Sequence, residues 1–198
     1  MTVLADTKPL LVVEKGCCKM TDEIVLPKGR ALLMTLPFCL PGLAMCAIYA
    51  ALWGAPAPAQ GFAGLFGSWG WIAACAVGVI VHEALHALTA RVVGGVPASG
   101  VQFGVSLTML APYAHIATPM TAAAFRATAA APGVLMGLLP FAIAAVIGQG
   151  ALFAFATLFT FGAAGDFLIL WVIRGVPSNV MVRDHPETIG VTLLAAAA

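Results

Sequence analysis

From Ala31 through His82 the chain carries no Lys, Arg, Asp or Glu. Then "VIVHEALHAL" (80–89) sets two histidines and a glutamate within five residues. An uncharged run of that length has few folded destinations other than a lipid bilayer, where each spanning helix takes about 20 residues. Ionisable groups inside such a span cost roughly 2.5–3.5 kcal/mol each even on lenient insertion scales. The polar turn therefore needs either a compensating partner or a water-filled cavity.

The rest of the composition agrees. Of 198 residues, 62% are hydrophobic and 9% charged, and the mean hydropathy is +1.03. A soluble domain of this size needs a more charged surface, so an integral membrane protein is expected. A net charge of +1 offers no attraction for nucleic acid. Nine of the seventeen charged residues precede position 31. They mark a cytosolic N-terminal tail (1–30) that lacks the basic start and apolar core of a secretory signal. Cys39, Cys46 and Cys75 lie in apolar runs and read as small buried hydrophobes. Cys17-Cys18 read as free cytosolic thiols, and with no C-x-x-C a cysteine zinc site has no support.

Four apolar segments are long enough to span: about 31–53, where Pro37 and Pro41 should introduce a bend, 69–93, 127–148 and 151–173. Lys28 and Arg30 precede the first, Arg91 ends the second, Arg126 precedes the third, and Arg174 and Arg183 follow the fourth. All then fall on one side, which the positive-inside rule makes cytoplasmic, with both termini inside. The expected architecture is an all-α integral membrane protein: a four-helix membrane domain (31–175) between cytosolic tails 1–30 and 176–198. A short β-hairpin-like insertion is expected between the second and third helices. There "VQFGVSLTM" (101–109) alternates, with Val101, Phe103, Val105, Leu107 and Met109 on one parity, as in a half-buried strand. Ala111-Pro112 should break it and "YAHIA" return as a second strand, the alternative being a hairpin that only covers helix ends.

His82-Glu83-Ala84-Leu85-His86 is H-E-x-x-H. Four residues apart on a helix, the imidazoles share one face and can bind one ion, zinc being the usual guest. Glu83 projects beside that face, placed to take a proton from water that zinc activates. A set of polar residues joining helices is the alternative. The third ligand zinc needs points to Asp166, in "GAAGDFLILW", the only other acidic residue in a predicted span. Asp166 lies eight residues before Arg174, while His82 and His86 lie nine and five before Arg91. At about 1.5 Å per residue, all three sit roughly 7–14 Å from the cytoplasmic helix ends, so they are level. A helix-bonding aspartate is the alternative, and Gly162 and Gly165 are expected to permit the close approach a shared ion requires. His115, in "APYAHIATP", is a candidate catalytic residue as oxyanion stabiliser, or else a substitute ligand, with Tyr113 on its parity. The alternative is an interfacial pair. His185, in "VRDHPETIG", reads as a turn residue.

The stretches "HEALHAL", "APYAH", "PGVLMGLLP", "GDFLILW" and "VRDHPETIG", between Val81 and Gly190, resemble a bacterial family of small four-span membrane proteins labelled "putative zincin peptidases". That family is itself similar to site-2 intramembrane metalloproteases. The resemblance implies zinc binding by His82, His86 and Asp166, with Glu83 catalytic. The expected function is zinc-dependent peptide hydrolysis within or near the cytoplasmic leaflet of a bacterial inner membrane. A substrate segment would pair with the strand at 101–109. The expected partners are the bilayer and a membrane protein or peptide substrate, with a homo-oligomer or a regulatory membrane partner also open. A non-enzymatic metal-binding protein (sensor, carrier or partner subunit) and a scaffold held by polar contacts are the rivals. The first predicts zinc without need of Glu83, the second no stoichiometric metal.

Overall fold

The computed structural model describes residues 12–15, 21–26, 30–67, 69–106, 111–185 and 189–194. Cys17-Cys18 and the expected strand positions Leu107–Met109 lie outside them. The chain is mostly helical. The first apolar run forms α1 (Ala31–Thr35), a 3-10 turn (Leu36–Cys39) and α2 (Leu40–Trp53), with Pro37 and Pro41 in the first turns of the last two. Proline is tolerated there because the first N–H groups of a helix have no intrahelical partner. The uncharged connection contains a further helix, α3 (Ala57–Phe66). The long α4 (Gly70–Gly94) carries the H-E-x-x-H turn and ends on Gly95, at φ 67°.

The next span is α5 (Ala122–Pro132), a π-helical segment (Gly133–Leu138) and α6 (Leu139–Ile147), followed by α7 (Gly150–Gly162) and α8 (Ala164–Val172). Three helices are long and apolar enough to cross a membrane. A fourth is counted if α7 and α8, bent by 42° at Ala163, make one span. Apolar side chains face outward along them, among them Ile80 (68% exposed) and Val146 (80%), which suits lipid and not water. Arg126, expected ahead of its span, lies inside α5. Its guanidinium donates to the Ile173 carbonyl (3.0 Å) and to that of Val176, closing the C-terminal end of α8.

The fold is not purely helical. Strands β1 (Val12–Lys15), β2 (Thr21–Val25), β3 (Val101–Ser106), β4 (Ala111–Ile116), β5 (Met120–Thr121), β6 (Met181–Asp184) and β7 (Gly190–Leu194) form two sheets. One has five antiparallel strands in the order β1-β2-β7-β6-β5 and joins the two ends of the chain. Ile24, Val182 and Val191 from this sheet pack into one core with Ala90, Phe125, Leu168, Val172 and Ile173. The sheet thus seals the helix ends nearest the polar turn. The sequence hides this, because β2 and β7 pair from opposite ends of the chain.

The second sheet is the expected hairpin, β3 against β4, with Gln102 opposite His115 and Gly104 opposite Tyr113. Two details differ. Ala111 and Pro112 belong to β4 and do not precede it. Phe103, expected on the covered face, is 65% exposed, and among the described residues β3 pairs only with β4.

Candidate metal centre

His82 and His86 project from adjacent turns of α4, their ring centroids 5.0 Å apart. Asp166 meets them from the first turn of α8, where the helix dipole favours a carboxylate. His82 Nε2 stands 3.1 Å from Asp166 Oδ2 and His86 Nε2 3.3 Å from Asp166 Oδ1. Among the described residues, this is the cluster of three whose potential ligand atoms all lie within 4.8 Å of one another.

The donor set fits zinc. With bonds of about 2.0–2.1 Å, neighbouring ligand atoms in a tetrahedral site stand about 3.3 Å apart. That is close to the two histidine–carboxylate separations, which reach different oxygens of Asp166, while the three potential ligand atoms together lie within 4.8 Å. Asp166 Oδ2 is buried, and beyond the His82 Nε2 that stands 3.1 Å away it has no hydrogen-bond partner among the described residues. A buried carboxylate oxygen left so is costly unless a cation satisfies it. His86 Nδ1 lies 2.8 Å from the Thr128 carbonyl of α5. A carbonyl only accepts, so Nδ1 carries the proton, and a neutral ring then turns its Nε2 lone pair toward Asp166.

Close helix approach underlies this meeting, but not at the glycines expected. Nothing lies within 4 Å of a Cβ placed on Gly162 or Gly165. The tight contacts are at Gly78, packed against the Phe159 ring, Gly133 against Phe167, and Gly137 against Thr160. Gly78 stands one turn before His82, and Phe167 follows Asp166, so these contacts bear directly on the cluster.

Glu83 is not one of the three converging groups. It lies close enough to both imidazoles and to Asp166 to interact with their charges, and its carboxylate faces the Ala114 backbone amide on β4. The strand beside the motif is therefore β4, with β3 outside it. His115 is placed elsewhere than among the ligands: its Nδ1 is 2.8 Å from Asp184 Oδ2 on β6, which ties the hairpin to the five-stranded sheet. The hydrogen bond to Asp184 raises the His115 pKa above its ordinary value, against burial and the repulsion of Arg183. Tyr113 is exposed, its ring lying over Gly104. His185 Nε2 lies 3.7 Å from Glu23 Oε2, within the sheet and away from the cluster.

The fold thus combines helices long and apolar enough to cross a membrane with a two-histidine, one-carboxylate cluster that could hold a metal ion, beside a glutamate. The chain belongs to the family described as "Putative zincin peptidase", whose pattern matches residues 75–181, just over half its length. That match takes in His82, Glu83, His86, His115 and Asp166. Over 110 residues the chain is 33% identical to an uncharacterized 24.7 kDa protein of Pyrococcus woesei encoded in the gap 5′ region, covering 54% of this chain and 47% of that protein. The chain thus spans about half the length of this curated relative. No solved structure matches it.

Proposed function

We propose that the protein is a zinc-dependent membrane metallopeptidase that hydrolyses peptide bonds within or near the cytoplasmic leaflet. The observation that carries this reading is the meeting of His82, His86 and Asp166 from two helices, with Glu83 beside them and free of the ligand set. Membership of the zincin family supports it. The one-sided Lys and Arg distribution supports cytoplasmic termini and a site on that side of the membrane, with a bacterial inner membrane as the proposed setting.

His82, His86 and Asp166 would hold the ion. Zinc bound there supplies Lewis acidity, polarising a scissile carbonyl and making water easier to deprotonate. Glu83 takes the proton from the attacking water and returns it to the departing amine. The Ala114 amide steadies its carboxylate between these transfers. The β3–β4 hairpin supports recognition of an extended substrate segment by strand pairing. A spanning substrate must unwind locally first, because its backbone bonds are internal.

Zinc content of detergent-purified protein tests this, read together with cleavage of single-span reporters reconstituted in the same vesicles. Wild type and Glu83→Gln should each hold about one zinc, while His86→Ala and Asp166→Ala lose it and Glu83→Gln loses cleavage. Folded wild-type protein that takes up no zinc would overturn the proposal. Bound zinc with cleavage absent from wild type as well as Glu83→Gln would favour a non-enzymatic metal-binding protein.

A further inference from the structure

We infer that Pro132 is a positioning residue for the metal centre: by lacking an N–H, it frees the Thr128 carbonyl to hold His86 in the tautomer that presents Nε2 to the ion. The inference rests on the zinc-site reading above and adds a residue that touches neither metal nor substrate.

In an uninterrupted α-helix the Thr128 carbonyl accepts a bond from the N–H four residues on. That residue is Pro132, fully buried inside the span and without a donor. Its ring also crowds the carbonyl four residues back, which turns that carbonyl away from the helix axis. Thr128 is buried at 4% exposure, so no water can satisfy the group. The next amide does not take over, since Gly133 N–H bonds to the Ala130 carbonyl. What does reach the freed oxygen is His86 Nδ1, at 2.8 Å across the α4–α5 interface. One substitution of proline for a donor thus creates a buried acceptor, and the imidazole that needs a fixed orientation fills it.

The residue after it bears on the other side of the centre. A Cβ on Gly133 would stand 2.7 Å from Phe167 Cε1, so glycine lets α5 lie against the neighbour of Asp166. From Gly133 the span continues as a π-helical segment, a departure often found at functional sites. Pro132-Gly133 therefore bears on one ligand from each of the two helices.

The test is zinc affinity of Pro132→Ala against wild type, by chelator competition in detergent, alongside thermal unfolding of the zinc-free proteins. Alanine restores the N–H and competes for the Thr128 carbonyl. Zinc affinity should fall about 10–100-fold, as for other residues that orient ligands. Unfolding temperature should stay level or rise, because alanine suits a helix interior better than proline. A proline needed only for packing would lower the unfolding temperature. Affinity within twofold of wild type would overturn the inference, while leaving the zinc site itself intact. Absence of zinc from wild type would instead remove the reading beneath it. A second measurement needs no variant: in zinc-loaded wild type, histidine 15N shifts should show His86 protonated at Nδ1. Zinc on Nδ1 would refute the proposed role.

Discussion

Gly78→Ala probes most directly the claim that helix proximity makes the metal centre. A Cβ at position 78 would fall 2.2, 2.7 and 3.1 Å from three atoms of the Phe159 ring. To regain an ordinary contact near 3.4 Å, ring and helix must separate by about 1.2 Å. Phe159 is only 5% exposed, so the ring has little room to turn aside. Overpacking of this kind costs about 1–3 kcal/mol. The movement falls one turn from His82, whose Nε2 now stands 3.1 Å from the aspartate on the facing helix pair. A displacement near 1 Å at a catalytic group can cost about 100-fold in rate, and zinc affinity should fall by at least about tenfold. The assay is chelator competition on Gly78→Ala, Phe159→Ala and the double variant. Removing the ring should restore most of the affinity lost in Gly78→Ala, a coupling that independent sites do not show. Wild-type affinity and unfolding temperature in Gly78→Ala would refute the reasoning. So would strict additivity in the double variant.

Asp184→Asn should remove the contact that ties β4 to the sheet, a loss of about 1 kcal/mol or less for a half-exposed pair. Because the folded His115 pKa is raised, the pair's stabilisation is fully present below the unfolded value of about 6.5. It fades as pH rises through the folded value, so the wild-type advantage in unfolding temperature should narrow with rising pH; a gap that widens would contradict the pairing. Arg126→Met should free the carbonyls at the end of α8, at about 1.5–3 kcal/mol for a bond to a charged donor. Amide exchange should quicken over residues 173–180 and not in α4; uniform acceleration would count against a local clamp.

Much of the helical layout was legible in the sequence for a simple reason. Long apolar runs without charge report the solvent they face, and H-E-x-x-H spacing on a helix is set by the helix itself. Asp166 was also reachable, since its depth could be counted from Arg174 and compared with that of the histidines from Arg91. The glycines were not. Gly162 and Gly165 sit beside Asp166 in sequence yet contact nothing on that side, while Gly78, Gly133 and Gly137 make the close approaches. Which glycine faces a neighbour depends on the rotation of each helix about its axis, and a glycine-rich chain offers too many choices. His115 likewise has the same spelling whether it meets the metal or Asp184, and only the packing of the β3–β4 hairpin against β6 of the other sheet decides.

The residues alone thus determined a membrane-suited helical chain with a potential metal turn, because bilayer cost and helical period act locally and need no knowledge of neighbours. Tertiary structure decided the sheet that joins the chain ends, the Arg126 clamp and the carbonyl of Thr128 that meets His86. Each of these links groups more than forty residues apart, as in the 42-residue separation of His86 and Thr128. Contacts at such separations follow from packing and strand pairing, which no local pattern of residues records.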